Sequence, residues 1–270
     1  MAEDRDDVVG NYGNSAIVER VAEALVRQGI DPQRPRAEQL YHYDQLHGRQ
    51  LVATREHVAR LAPDAKMHVL DVGSGVGGPA RYIAATTGAR VTGIDLTPQF
   101  VEAARELTRR CGLDDRVDFI EGNAARMPFA DATFDAAICL YVGMNISDKP
   151  PVLAEIHRVL KPGGRLLWSQ AVAAQGLPHY PLPWARDAEA SHAGPEDELR
   201  AAMTAAGFRT VEWVDETTLF PMPGSPPPPD GGDPSVNQMV MGDDFVERRR
   251  NFVRSLAEGA LRSIVALVEK

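Results

Sequence analysis

The spacing of apolar positions changes at Met67. Beyond it, short apolar runs alternate with stretches of helical periodicity. Residues 68–72 form an apolar run that predicts a strand, followed by glycines and a helix over 79–87. A second strand at 90–95 leads into a helix at 98–110, and residues 117–121 and 134–140 supply the third and fourth strands. The pattern continues with a helix at 151–160, a Lys-Pro-Gly-Gly turn at 161–164 and a fifth strand at 165–172. Residues 195–207 predict a helix and 210–216 a sixth strand. A helix at 243–256 sets Phe245, Phe252, Val253 and Leu256 on one side. The apolar, β-branched run at 263–268 reads as a last strand, its rival being a helix continuing from Asp243 past Gly259. Repeated β-α alternation predicts an α/β fold, a mostly parallel sheet with helices on both faces.

Before Met67 the periodicity is helical only. Ile17, Val18, Val21, Ala24 and Leu25 mark a helix over 15–28, and Leu51, Val52, Val58 and Leu61 mark one over 50–61. Residues 1–66 therefore read as an N-terminal helical cap and 67–270 as the core. Within the core, residues 220–235 form a proline-rich loop holding seven of the chain's twenty prolines.

Composition narrows the function classes. The formal net charge of -9 implies no broad basic surface, so nucleic acid is not an expected partner. No apolar stretch approaches the roughly 20 residues that span a bilayer, and the acidic first residues do not read as a signal peptide. Cys111 and Cys139 are far apart in sequence, which suits free thiols and a cytoplasmic location. No Cys/His/carboxylate grouping has ligand spacing, so no metal is expected.

The chemistry concentrates in Val69-Leu70-Asp71-Val72-Gly73-Ser74-Gly75-Val76-Gly77-Gly78, a strand running into a glycine turn that opens a helix. The glycines let backbone approach a ligand closely, and as a pattern they suit a dinucleotide as well as S-adenosylmethionine (SAM). Asp71 separates the two. A carboxylate at the strand's end repels a pyrophosphate but favours SAM, whose ammonium and sulfonium are both cationic. Asp95, ending the second strand, offers acceptor sites for ribose hydroxyls; Leu96 is placed to stack on adenine and Asn123 to meet its amino edge.

These segments resemble the class I SAM-dependent methyltransferases. Residues 69–78 resemble the first motif, Gly93-Ile94-Asp95-Leu96 the ribose motif, Gly122-Asn123-Ala124 the adenine segment, and Val159-Leu160-Lys161-Pro162-Gly163-Gly164 the approach to the fifth strand. The family often has Asp where this chain has Asn123. Residues 43–48, 142–149 and 180–185 are similar to a small-molecule branch that includes sarcosine/dimethylglycine, tocopherol and sterol methyltransferases. The resemblance implies a Rossmann-like seven-stranded sheet in the order 3-2-1-4-5-7-6, with the last strand antiparallel. It implies SAM contacts at Asp71, Gly73, Ser74, Gly75, Asp95, Leu96, Asn123, Ala124 and Leu140. His47 and Tyr141 are the candidates for a catalytic role, and Met144, Asn145, His179, Tyr180 and Trp184 for an acceptor pocket. The expected activity is methyl transfer to N, O or C of a small metabolite, as in natural-product biosynthesis. The competing readings are an NAD-dependent oxidoreductase and a non-catalytic SAM-binding module. Exchange of the N-terminal helices between subunits would make a homo-oligomer.

Overall fold

The computed structural model describes residues 16–221 and 235–270. Most of the proline-rich loop and the first fifteen residues lie outside them. Three helices precede the sheet: α1 (Ile17–Arg27), α2 (Ala37–Asp44) and α3 (Gln50–Leu61). Then come β1 (His68–Val72), α4 (Gly78–Thr87), β2 (Arg90–Asp95), α5 (Pro98–Arg110), β3 (Val117–Glu121) and β4 (Phe134–Leu140). The chain continues through α6 (Lys149–Val159), β5 (Leu160–Ala173), α7 (Glu196–Ala205) and β6 (Arg209–Asp215). It finishes with α8 (Val236–Met241), α9 (Phe245–Ala257) and β7 (Leu261–Glu269).

The sheet order is β3-β2-β1-β4-β5-β7-β6. Strands β1 to β5 pair in parallel, whereas β7 runs antiparallel between β5 and β6. The final apolar run is thus a strand, and its helical rival falls. The inner parallel strands are buried along nearly their whole length, which is why they read as apolar runs rather than as alternation. Core side chains of one cluster include Leu70, Phe134, Leu153 and Trp168, and those of a second include Val69, Ile83, Phe119 and Ile138.

The expected turn at 161–164 lies inside β5 as an irregularity. Phe134 pairs with Leu160 but Ala136 with Arg165, so four residues of β5 pass against one of β4. Gly163, at φ +75°, donates its N–H to the carbonyl of Lys270, and Lys270 donates back to Gly164. Strand hydrogen bonding to the neighbouring chain end keeps the Pro-Gly-Gly segment in the ladder.

Helices α1 and α2 add Ile17, Leu25, Leu40 and Tyr43 to a cluster with Val76 of the glycine turn and Phe100 of α5. The contact is close enough to dictate sequence: a Cβ on Gly78 would lie 2.1 Å from the carbonyl oxygen of Asp44. No other residue fits at the first turn of α4 while α2 stays where it is.

Candidate active site

A cavity of about 480 Å³ opens at the carboxyl ends of β1, β2 and β4, where the strand order reverses direction. The glycine turn forms one wall. Gly73 (φ +70°) and Ser74 both donate their N–H to the carbonyl of Ile94, at 2.8 and 3.2 Å. A Cβ on Gly73 would meet Val142 Cγ2 at 2.4 Å, so the turn packs directly on the segment after β4.

Asp71, Gly73, Ser74, Gly75, Asp95, Leu96, Asn123, Ala124 and Leu140, the expected cofactor residues, all line this cavity. Asp71 is 2% exposed, and its Oδ2 has no hydrogen-bond partner. Burial, reinforced by the nearby charge of Asp95, pushes its carboxyl up to about 7. The hydroxyl of Ser74 is likewise buried without a partner. Asp95 accepts from the N–H of Gly75 at 2.8 Å and of Thr97 at 2.9 Å, one through each oxygen. Burial raises its carboxyl and these backbone donors oppose that. Asn123 accepts from the Ala125 N–H at 2.8 Å, so its oxygen closes a local turn. Thr97 and Phe100, on the far side of the ribose motif, line the cavity too.

Arg81, one turn into α4, is a cation that could offset a phosphate, and it is not available. Its guanidinium, fully buried, reaches Asp44 through Nε and Nη2, Val76 O through Nη2, and Ala104 O and Thr108 Oγ1 through Nη1. All five donors are engaged. A buried carboxylate with one orphaned oxygen, next to the half-buried Asp95 and a fully occupied arginine, fits a cationic ligand and opposes a pyrophosphate.

His47, Tyr141 and Asn145 line the same cavity. Thr54 donates its one hydroxyl proton to Gln45 Oε1, so the Thr54 oxygen accepts from His47 Nε2 at 2.9 Å. His47 Nδ1 lies 3.0 Å from the Gly48 carbonyl. Burial pushes the imidazole down to about 4, against the pull of that carbonyl. Tyr141 has a left-handed backbone (φ +57°), and its hydroxyl shares a 2.7 Å hydrogen bond with Ser263. Burial pushes the phenol well above its ordinary range. The His47 and Tyr141 rings lie nearly parallel, 6.2 Å apart at 9°.

The other expected acceptor residues are placed elsewhere. Met144 and Trp184 are buried in a cluster with Leu182, Phe220 and Phe252, and Tyr180 packs against it. Trp184 donates to Ser191 Oγ at 3.0 Å. His179 pairs with Glu258 at 2.7 Å. These aromatics anchor the segment after β5 to α9 and do not line the cavity. Its outer wall is instead Ile146, Ser147, Asp148, Pro151 and Val152, at and beyond the end of the 142–149 stretch and into α6. Asp44 and Leu46 also line it. Both lie in the 43–48 stretch that carried the resemblance, yet sequence alone singled out only His47 there.

Residues 70–168 match the family model described as a methyltransferase domain. The O-methyltransferase resE of Aspergillus sclerotiorum is 36% identical over 165 residues, which is 60% of this chain and 62% of that protein. The chain thus spans under two thirds of that relative's length. Among solved structures, geranyl diphosphate C-methyltransferase from Streptomyces coelicolor A3(2) superposes with a TM-score of 0.70 at 16% identity, covering 98% of this chain and 97% of that one. The [4+2]-cyclase SpnF superposes at 0.65 with 24% identity, covering 98% and 94%. Residues 70–168 thus match a methyltransferase domain, and the sheet order and glycine turn around them are those that the resemblance to class I SAM-dependent methyltransferases implies.

Proposed function

We propose that this protein transfers the methyl group of SAM to nitrogen, oxygen or carbon of a small organic metabolite, with residues 1–66 as a cap over the core 67–270. The observation that carries this reading is the unpartnered Oδ2 of Asp71, buried in the cavity wall. A desolvated carboxylate oxygen without a partner is costly, and a cationic ligand removes the cost. SAM supplies a methyl already activated by its sulfonium. Asp71 takes the ammonium end, Asp95 retains acceptor capacity for ribose hydroxyls, and Leu96 and Phe100 offer apolar faces to the adenine.

The residues beyond the cofactor orient the acceptor and exclude water, which is most of what such a displacement requires. Where the acceptor loses a proton, we assign its removal to the cavity end where the His47 and Tyr141 rings line the wall. The O-methyltransferase relative supports methyl transfer, and we assign this protein a tailoring role in natural-product biosynthesis. Among the described residues no helix is long and apolar enough to cross a membrane, and we assign the protein to the cytoplasm.

Calorimetry with SAM and with NAD, followed by assay of S-adenosylhomocysteine release across a panel of small phenols, amines and enolisable acceptors, tests the proposal. Binding of SAM with turnover is expected. Binding of NAD alone would overturn it in favour of an oxidoreductase. SAM binding with no release on any acceptor would favour a fold that holds SAM without transferring its methyl group.

A further inference from the structure

A buried ion cluster adjoins the His47–Tyr141 end of the cavity without lining it. At its centre is Glu216, just after β6, with a side chain 1% exposed. Its Oε2 accepts from Arg49 Nη1 at 2.8 Å and faces His57 Nε2 at 3.3 Å, while Oε1 accepts from Arg60. Arg49 also reaches Glu56 at 2.6 Å through its second nitrogen. Burial works to raise the Glu216 carboxyl, but the hydrogen bonds from His57 and Arg60 outweigh it and hold the group down to about 2.

Two arms run from Glu216 to the two rings, one from its carboxylate and one from its backbone. Through the first, the guanidinium of Arg49 is fixed, and Arg49 (φ +58°) and Gln50 (φ +45°) are consecutive non-glycine residues in the left-handed region. The φ of Arg49 orients the peptide plane that contains the Gly48 carbonyl, and this carbonyl lies 3.0 Å from His47 Nδ1. An unfavoured turn persists only where its surroundings over-determine it, and the Arg49 anchor does that here. Through the second arm, the Glu216 N–H donates to the Ser263 carbonyl at 2.8 Å. The Ser263 hydroxyl shares the 2.7 Å hydrogen bond with Tyr141.

We infer that Glu216 is a positioning residue that sets the His47 and Tyr141 rings relative to each other from outside the cavity. The inference rests on the reading of these two side chains as the acceptor end of a methyl-transfer site. Glu216→Gln keeps the shape and removes the charge that gathers Arg49, Arg60 and His57.

The test reads the ring nitrogens of His47 by proton–nitrogen NMR, with His47→Gln assigning its signals among the seven histidines. Glu216→Gln is expected to shift or broaden the His47 signals and leave those of His157 in place. Glu216→Asp is expected to return them part of the way to wild type. SAM affinity, read by calorimetry on the same samples, is expected to stay within about twofold, since Glu216 touches no cofactor-lining group. Unchanged His47 signals in Glu216→Gln would overturn the inference. Should that variant fail to fold, Arg49→Lys keeps a positive charge but cannot bridge Glu216 and Glu56 in the same way, and unchanged His47 signals there would be equally fatal. A wild-type protein that does not bind SAM would overturn the functional reading alone, because the ring signals report positioning independently of it.

Discussion

The raised carboxyl of Asp71 makes cofactor binding depend on pH in a definite direction. In the free protein this group ionises at about 7. A bound ammonium holds it ionised, so binding below pH 7 must first remove a proton. With that value of about 7, the apparent dissociation constant scales as one plus ten to the power of 7 minus pH. Between pH 7.0 and 5.5 the factor rises from about 2 to about 33, a loss of roughly 16-fold or about 1.6 kcal/mol. The ligand's own amine stays largely protonated over this window, and His47, held down to about 4, stays neutral. Calorimetry in two buffers of different ionisation enthalpy reads the linkage directly, with about 0.9 protons released per SAM at pH 6. Stability of the unliganded fold moves the opposite way. Between the usual aspartate value of 3.8 and about 7 the folded state binds the extra proton, so stability falls as pH rises through that window. A flat affinity from pH 5.5 to 7 with no proton release would refute the reasoning, and Asp71→Asn is the control that abolishes the slope.

Three further outcomes follow from the same geometry. Asp95→Ala is expected to weaken SAM binding by at least about 1 kcal/mol, since it removes a charge-assisted acceptor and frees the Gly75 and Thr97 N–H groups; an unchanged calorimetric affinity would misplace the ribose. Arg81→Met leaves Asp44 buried without its cation and should cost about 3 kcal/mol or more in urea denaturation, with a loss under 1 kcal/mol counting against the pairing described. His47→Ala should lower turnover at least tenfold while SAM affinity stays within about twofold. In the wild-type protein the rate should show no His47 inflection between pH 6 and 8, so an inflection near 6.5 that the substitution abolishes would contradict a buried neutral ring.

How much of this was legible follows from where the determining partners sit in sequence. Strands buried on both faces announce themselves as apolar runs, and parallel topology brings their ends together, so Asp71 and Asp95 could be paired from their positions alone. Helix α2 could not, because its buried face includes Asp44, whose charge is offset inside by Arg81, 37 residues later. His179, Tyr180 and Trp184 stand off the cavity for a related reason. An aromatic, proline-rich segment suits a ligand wall and a hydrophobic anchor equally well, and Phe252 on α9 decides the matter for Trp184 by packing edge-on at 5.4 Å. Glu216 carried no local signal, since a single acid after a strand is ordinarily solvated.

The insertion of β7 between β5 and β6 also orders events during synthesis. Strand β6 hydrogen-bonds only to β7 within the sheet, so once it leaves the ribosome it waits for a partner whose last residue lies 54 positions further on (269 minus 215). At roughly 5–20 residues per second that wait is about 3–11 s, during which the open edge of β5 is a template for unwanted pairing. The hydrogen bonds of the glycine turn and of Asp95 need nothing beyond Thr97 and can form early. Tyr141 cannot be fastened until Ser263 arrives, so the half of the cavity that would meet an acceptor is finished last.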